Sequence, residues 1–224
     1  MGEVGDAYTG CHERITALTR GLDARAEAAP CPTCPAWSVH DVVAHVAGVV
    51  DDALAGRLEG VATDPWTAAQ VDARRGRPVD EILDEWAASA PAFASVLDGI
   101  GESGRQAVLD VTTHEHDIRT ALAQPGARDS QGVEIGLGWL VPRFVDAAAE
   151  HGIAVRVAVD GGPSWGDDSA GVTLRGEQFE LMRAMTGRRS LDQLRELRWE
   201  GDGEAVLPVF TYGPFHPAER PISE

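Results

Sequence analysis

The sequence predicts a mainly α-helical protein, a four-helix bundle over residues 1–151 followed by a small α+β domain over residues 152–224. Apolar side chains recur at helical spacing in four long segments before residue 125, which is the pattern of a helical bundle. After Gly152 the pattern changes to short alternating runs. The 224 residues are 43% apolar and 25% charged, ordinary values for a chain that buries a core.

The four bundle helices are each marked by local signals. Prolines after the first helix force an extended connector, and Ser38 with Asp41 forms a capping box that starts the second. The segment between the second and third helices, residues 60–78, is expected to be a loop with Asp64-Pro65 as a turn. The predicted helices span residues 5–28, 38–56, 79–97 and 103–122.

The C-terminal part is predicted to mix helices and strands. A fifth apolar helix covers 133–151, with a kink expected at Pro142, and Gly187 closes a later helix over 177–186. Ser190 and Gln193 suggest a capping box for one more short helix. The predicted strands are 153–159, 171–175 and 197–199, and a Pro-rich tail runs from 208 to 224.

Charge and composition exclude several classes of protein. The 19 basic residues against 36 acidic ones leave a net charge of −17, which repels phosphate backbones and argues against nucleic-acid binding. Neither a membrane-spanning apolar stretch nor a signal peptide is evident, so we expect a cytoplasmic protein. The three cysteines (Cys11, Cys31 and Cys34) do not form a disulfide framework, and Cys31-Pro-Thr-Cys34 lacks the second Cys/His pair that a zinc or redox role would need.

Histidines and one carboxylate form the main candidate for chemistry. Asp110 and His114 are four residues apart on the fourth helix, so their side chains share one face, and His45 borders the apolar stripe of the second helix. His40 is about 140° away from His45 around that helix and belongs elsewhere. Two histidines and a carboxylate form a three-ligand metal site with one open position, as in catalytic zinc centres. Alternatively, His45 is a satisfied core histidine and Asp110–His114 a local hydrogen-bonded pair.

Other residues give weaker indications. Arg188, just past a helix end, either grips an anionic substrate or complements the helix dipole. Trp37, Trp86, Trp139 and Trp199 lie on apolar faces and are assigned to the core.

Two segments resemble the mycothiol-dependent maleylpyruvate isomerase family, which belongs to the wider DinB-like metal-binding bundles. Residues 33–48, TCPAWSVHDVVAHVAG, resemble the opening signature of the family, and residues 110–118, DVTTHEHDI, resemble its second signature. Residues 174–188 look like its C-terminal domain. The resemblance therefore covers nearly the whole chain.

The resemblance implies a divalent metal, usually Zn²⁺, held by His45, Asp110 and His114, with the thiolate of mycothiol, the actinobacterial thiol, in the open position. Asp117 would orient His114, although a structural contact with Arg119 is an equal alternative. The family position matched by Asp110 is commonly Glu, so the shorter Asp implies a metal closer to the fourth helix or held less well.

The expected function is addition of a metal-activated thiolate to an electrophilic small molecule, giving cis–trans isomerisation or S-transfer. Arg188 joins the three ligands as an expected catalytic residue, and residues 60–77 and the C-terminal tail are expected to contact substrate. Two alternatives stay open: a metal- or ligand-binding module without turnover, favoured by the Asp110 departure, and a thiol-independent metal hydrolase. The sequence is compatible with a monomer or a homodimer.

Overall fold

The structure, a computed structural model that describes residues 2–224, is helical in its first part and has a small four-stranded sheet in its second. The helices are α1 (Glu3–Thr19), α2 (Ala24–Glu27), α3 (Val39–Leu54), α4 (Asp64–Arg74), α5 (Val79–Leu97), α6 (Glu102–Ala121), α7 (Gln131–Glu150), α8 (Gln178–Met185) and α9 (Leu191–Arg195), with a 3-10 helix over Gly203–Phe210. The strands are β1 (Val155–Val159), β2 (Ser164–Trp165), β3 (Val172–Gly176) and β4 (Arg198–Glu200). The predicted fold class is confirmed.

Helices α1, α3, α5 and α6 form the four-helix bundle, with their apolar stripes turned inward. The predicted capping box at the start of α3 is present: the Ser38 hydroxyl accepts from the Asp41 amide, and the Asp41 carboxylate accepts from the Ser38 amide at 2.9 Å. The first helix was predicted over residues 5–28, but α1 ends at Thr19. Gly21 adopts a left-handed φ of 71°, and an α-helix does not continue through that conformation. Asp23 then caps the short α2.

The prediction of a loop over residues 60–78 is wrong, because α4 occupies its centre. Pro65 lies in the first turn of α4, where a proline is tolerated because no intrahelical partner exists for its missing N–H. The predicted turn at Asp64-Pro65 is therefore also wrong, since these two residues begin α4. Helix α4 packs on α3, and Arg74 at its end pairs with Asp51 of α3 and Glu85 of α5.

The sheet has the strand order β2-β1-β3-β4, with β1 and β3 parallel and both outer pairs antiparallel. A turn after β1 leads into β2, a two-residue strand that was not predicted. At the end of α8, Gly187 has the predicted left-handed conformation, with φ of 80°. The capping box of Ser190 and Gln193 is also present.

Helix α7 packs with α8, β1 and the 3-10 helix. The described chain divides into two compact units, residues 2–126 together with Glu224, and Ala127–Ser223. The apolar face of α7 makes this packing favourable: Phe144 is fully buried, and its ring centroid lies 4.8 Å from that of Phe210 in the 3-10 helix, with the two rings tilted. Pro142 lies inside α7, and the helix continues past it to Glu150. The kink expected at Pro142 stays a prediction.

Among residues 2–224, none of the helices combines the length and the apolar character that crossing a lipid bilayer requires.

Candidate metal centre

The structure brings His45 of α3 together with Asp110 and His114 of α6. The two Asp110 carboxylate oxygens lie 3.8 Å from His45 Nε2 and 3.7 Å from His114 Nε2. The two imidazoles meet edge to face, with ring centroids 4.9 Å apart. Both histidines are buried, whereas the Asp110 side chain is 37% exposed. The cluster is therefore open to solvent on the Asp110 side.

Each imidazole is held through its second nitrogen. His114 Nδ1 lies 3.1 Å from an oxygen of Asp117, a fully buried residue one turn further along α6. His45 Nδ1 lies 2.7 Å from Gln70 Oε1 of α4. Both partner atoms are hydrogen-bond acceptors, so each of these contacts requires a proton on Nδ1, and each Nε2 faces Asp110. This is the arrangement that orients histidine ligands in metal proteins.

The three side chains fit a divalent metal. One ligand atom from each of His45, Asp110 and His114 can be chosen so that all lie within 4.8 Å of one another. In a tetrahedral zinc site with metal–ligand bonds near 2 Å, ligand atoms are about 3.4 Å apart, so only a small contraction is required. The shorter Asp110 side chain does reach both imidazoles.

Cys34 adds a second possible group of ligands that the sequence analysis did not anticipate. Cys34, His114 and Asp117 also have ligand atoms within 4.8 Å of one another, and Cys34 Sγ lies 3.8 Å from Asp117. His114 belongs to both groups, through Nε2 in the first and Nδ1 in the second. The Nδ1–Asp117 hydrogen bond favours the first group, since the same nitrogen cannot both donate that bond and bind a metal.

Two indole rings flank the imidazoles. Trp37 lies 4.9 Å from His45 and 5.7 Å from His114, and Trp66 of α4 lies 6.5 Å from His45, measured between ring centroids. Both indoles are partly exposed. The assignment of Trp37 to the core is therefore wrong, whereas Trp86 is fully buried as predicted.

A buried ionic cluster sets the rotation of α6. Glu115, next to His114, is fully buried and accepts from Arg14 Nη2 of α1 at 2.8 Å and from Arg119 Nε at 2.9 Å. Burial alone raises the pKa of the Glu115 carboxyl, but the hydrogen bonds from Arg14 and Cys11 outweigh burial and hold the pKa below its ordinary value. With Glu115 tied to α1, the Asp110–His114–Asp117 face turns toward α3.

Gln70 is the site residue that sequence reasoning missed, because the segment containing it was assigned to a loop. A proline in a first turn, followed by Trp66 and Gln70 four residues apart, was the available signal for a helix with one inward face. Arg188 lies in the second unit, where its Nη1 donates to the Thr186 carbonyl at 2.6 Å. Its catalytic role stays a prediction.

Comparison with known proteins assigns the chain to a family. No curated protein and no solved structure matches the chain. A family model, described as the mycothiol maleylpyruvate isomerase N-terminal domain, matches residues 8–124, a range that includes all three candidate ligands and ends close to the boundary of the first unit. Since that match covers more than half of the chain, the protein belongs to the mycothiol maleylpyruvate isomerase N-terminal domain family.

Proposed function

We propose that the protein is a divalent-metal enzyme that uses mycothiol as its thiol and acts on an electrophilic small molecule. The observation that carries this proposal is the convergence of His45, Asp110 and His114, with both Nε2 atoms beside one carboxylate and both Nδ1 atoms already engaged. The family membership supports mycothiol as the thiol.

The residues of the chain have separate roles in this proposal. His45, Asp110 and His114 would hold the ion, and it would supply Lewis-acid chemistry that lowers the pKa of a thiol and presents thiolate at neutral pH. Asp117 and Gln70 lie within hydrogen-bond distance of the Nδ1 atoms of the two imidazoles. Trp37 and Trp66 exclude water from the imidazole faces and offer flat apolar walls to a substrate.

The proposed reaction begins with addition of the thiolate to an electron-poor double bond: the C–S bond forms, the π bond breaks, and its electron pair moves onto the neighbouring electron-withdrawing group as an enolate. After rotation about the resulting single bond, the enolate expels the thiolate and re-forms the double bond, which gives cis–trans isomerisation. If the enolate carbon instead takes up a proton, the C–S bond is retained, which gives S-transfer. Arg188 is proposed to bind an anionic group of the substrate. Arg188→Ala should then raise KM several-fold and leave metal content unchanged.

The first experiment is metal analysis of the purified protein by plasma mass spectrometry. We expect close to one zinc-like ion per chain in the wild type and a loss of it in His45→Ala and His114→Ala, because each removes one of three ligands. His40→Ala is the matched control: it lies on the same helix as His45, but its Nε2 faces the Arg77 carbonyl at 2.9 Å. Retention of stoichiometric metal in both ligand variants would overturn the ligand assignment.

Thiol dependence is tested separately, with metal-loaded protein and a panel of electrophilic alkenes. Turnover that requires mycothiol supports the proposal. Activity that persists without any thiol would instead favour a metal hydrolase, and stoichiometric metal with no turnover would favour a binding module.

A further inference from the structure

Gln70 is the centre of a hydrogen-bond chain that runs from the candidate site to the surface. Its Oε1 accepts from His45 Nδ1 at 2.7 Å, and its Nε2 donates to Asp52 Oδ2 at 2.7 Å. The other Asp52 oxygen accepts from Arg57 Nε at 2.8 Å. Gln70 is only 3% exposed, whereas the Arg57 side chain is 60% exposed.

The donors and acceptors of this hydrogen-bond chain determine which ring nitrogen of His45 carries the proton. An ionised carboxylate only accepts hydrogen bonds, so Asp52 must face the NH₂ group of the Gln70 amide. The amide oxygen then faces His45, and Nδ1 has to be the protonated nitrogen. The lone pair is left on Nε2, the atom that lies beside Asp110.

Gly48 of α3 makes the close approach of Gln70 possible. A Cβ atom at Gly48 would lie 2.6 Å from Gln70 Cβ and 2.7 Å from Gln70 Cγ, closer than side chains tolerate. Gly48 is three residues after His45 and therefore on the same face of α3. A glycine at this position lets the stem of Gln70 cross α3 and reach the imidazole.

We infer that Gln70, held by Asp52 and Arg57, is the positioning residue for His45: it sets the tautomer of His45 and its aim toward the metal, as Asp117 does for His114. This inference rests on the proposed metal-dependent function. The residues that hold the two imidazoles differ in charge, since Gln70 offers His45 a neutral amide and Asp117 offers His114 a carboxylate. Partners of this kind typically contribute roughly 10- to 100-fold to metal affinity.

Gln70→Met tests the inference, because methionine keeps the length and packing of glutamine but cannot accept the His45 proton or donate to Asp52. We expect the Kd for Zn²⁺, measured by chelator competition, to rise roughly 10- to 100-fold. Gln131→Met is the matched control, the same substitution at an exposed position in the second unit, and should leave Kd unchanged.

A paired substitution distinguishes positioning from packing. In Gln70→Glu combined with Asp52→Asn, the carboxylate at position 70 accepts from both His45 and the new amide. Both hydrogen bonds therefore re-form, and only the one between positions 70 and 52 reverses its direction. We expect this double variant to bind Zn²⁺ within a few-fold of the wild type, whereas Gln70→Glu alone places two carboxylates in contact and should bind less well.

The tautomer of His45 is read directly by long-range ¹⁵N–¹H NMR on the metal-free protein. We expect the Nδ1–H form in the wild type and loss of its dominance in Gln70→Met. If the wild type binds metal and Gln70→Met has the same Kd and the same tautomer, the inference is overturned while the proposed function stands. If the wild type binds no metal, the proposed function fails, and the NMR result alone decides the role of Gln70.

Discussion

Asp110 is one methylene shorter than the Glu that the family resemblance implies at this position, yet it lies close to both candidate histidine ligands. Its two oxygens lie at nearly equal distances, 3.8 Å and 3.7 Å, from the two Nε2 atoms. Asp110→Glu should therefore retain stoichiometric metal with an affinity equal to or tighter than the wild type, whereas Asp110→Asn should bind more weakly because it removes the charge. Metal titration of the two variants measures this. A collapse of affinity in Asp110→Glu would show that Asp110 acts through packing.

Cys34 distinguishes the two possible ligand groups around His114, whereas Asp117 has a role in both. Asp117→Asn should lower metal affinity roughly 10- to 100-fold, because it weakens the hold on Nδ1. Cys34→Ala should leave stoichiometry and affinity unchanged, because only the alternative group contains the thiol. The visible absorption spectrum of the Co²⁺-substituted protein provides a second readout. A strong thiolate-to-metal band that Cys34→Ala removes would favour the alternative group.

At the scale of elements, the contact between α3 and α4 places Gln70 beside His45. Gly48→Ala should destabilise the protein by about 1–3 kcal/mol, as overpacking does, and weaken metal binding by displacing Gln70. Gly138→Ala in α7 is the control, since no atom lies within 4 Å of its added Cβ; replacing a helical glycine there should stabilise by about 0.5–1 kcal/mol. Urea unfolding compares the two. Equal effects would show that Gly48 does not mediate a close approach.

The capping box of α3 predicts a specific pH dependence. Burial raises the pKa of the Asp41 carboxyl, but hydrogen bonds from Ser38 and the nearby His40 outweigh it and hold the pKa below its ordinary value of 3.8. A depressed pKa stabilises the folded state above pH 3.8, and that contribution is lost as pH falls through the folded-state pKa. The wild type should therefore exceed Asp41→Asn in stability near pH 5, and the gap should shrink below about pH 4.

The measurement is urea unfolding of both proteins across this pH range. Asp84→Asn is the control, because the Asp84 side chain is 72% exposed in its pair with Arg20 and should contribute little at any pH. A gap between wild type and Asp41→Asn that does not change with pH would contradict the assignment.

At the scale of the whole molecule, the net charge of −17 opposes compaction. Raising salt from about 0.02 M to about 0.5 M should raise Tm, because screening weakens this repulsion more than it weakens the buried pairs of Glu115 and Arg74. Differential scanning calorimetry measures the trend. A fall in Tm with salt would show that attractive ion pairs outweigh the net repulsion.

Much of the fold follows from local sequence signals. The capping box at Ser38, the helix 79–97 and the left-handed Gly187 appear in the structure where they were predicted, since each depends on residues within a few positions of one another. The two signatures also identified the family. Helix periodicity alone placed Asp110 and His114 on one face of α6.

Tertiary packing decided which residues from different helices contact one another. The sequence by itself determined a helical bundle, its family and three candidate ligands, because capping, periodicity and motif spacing are local properties. Only the tertiary structure placed Gln70 behind His45 and Trp37 against both imidazoles, and grouped α7 with the sheet. These contacts join residues far apart in the chain, and they depend on how closely two helices approach, as at Gly48. A pattern along a single helix does not encode that distance.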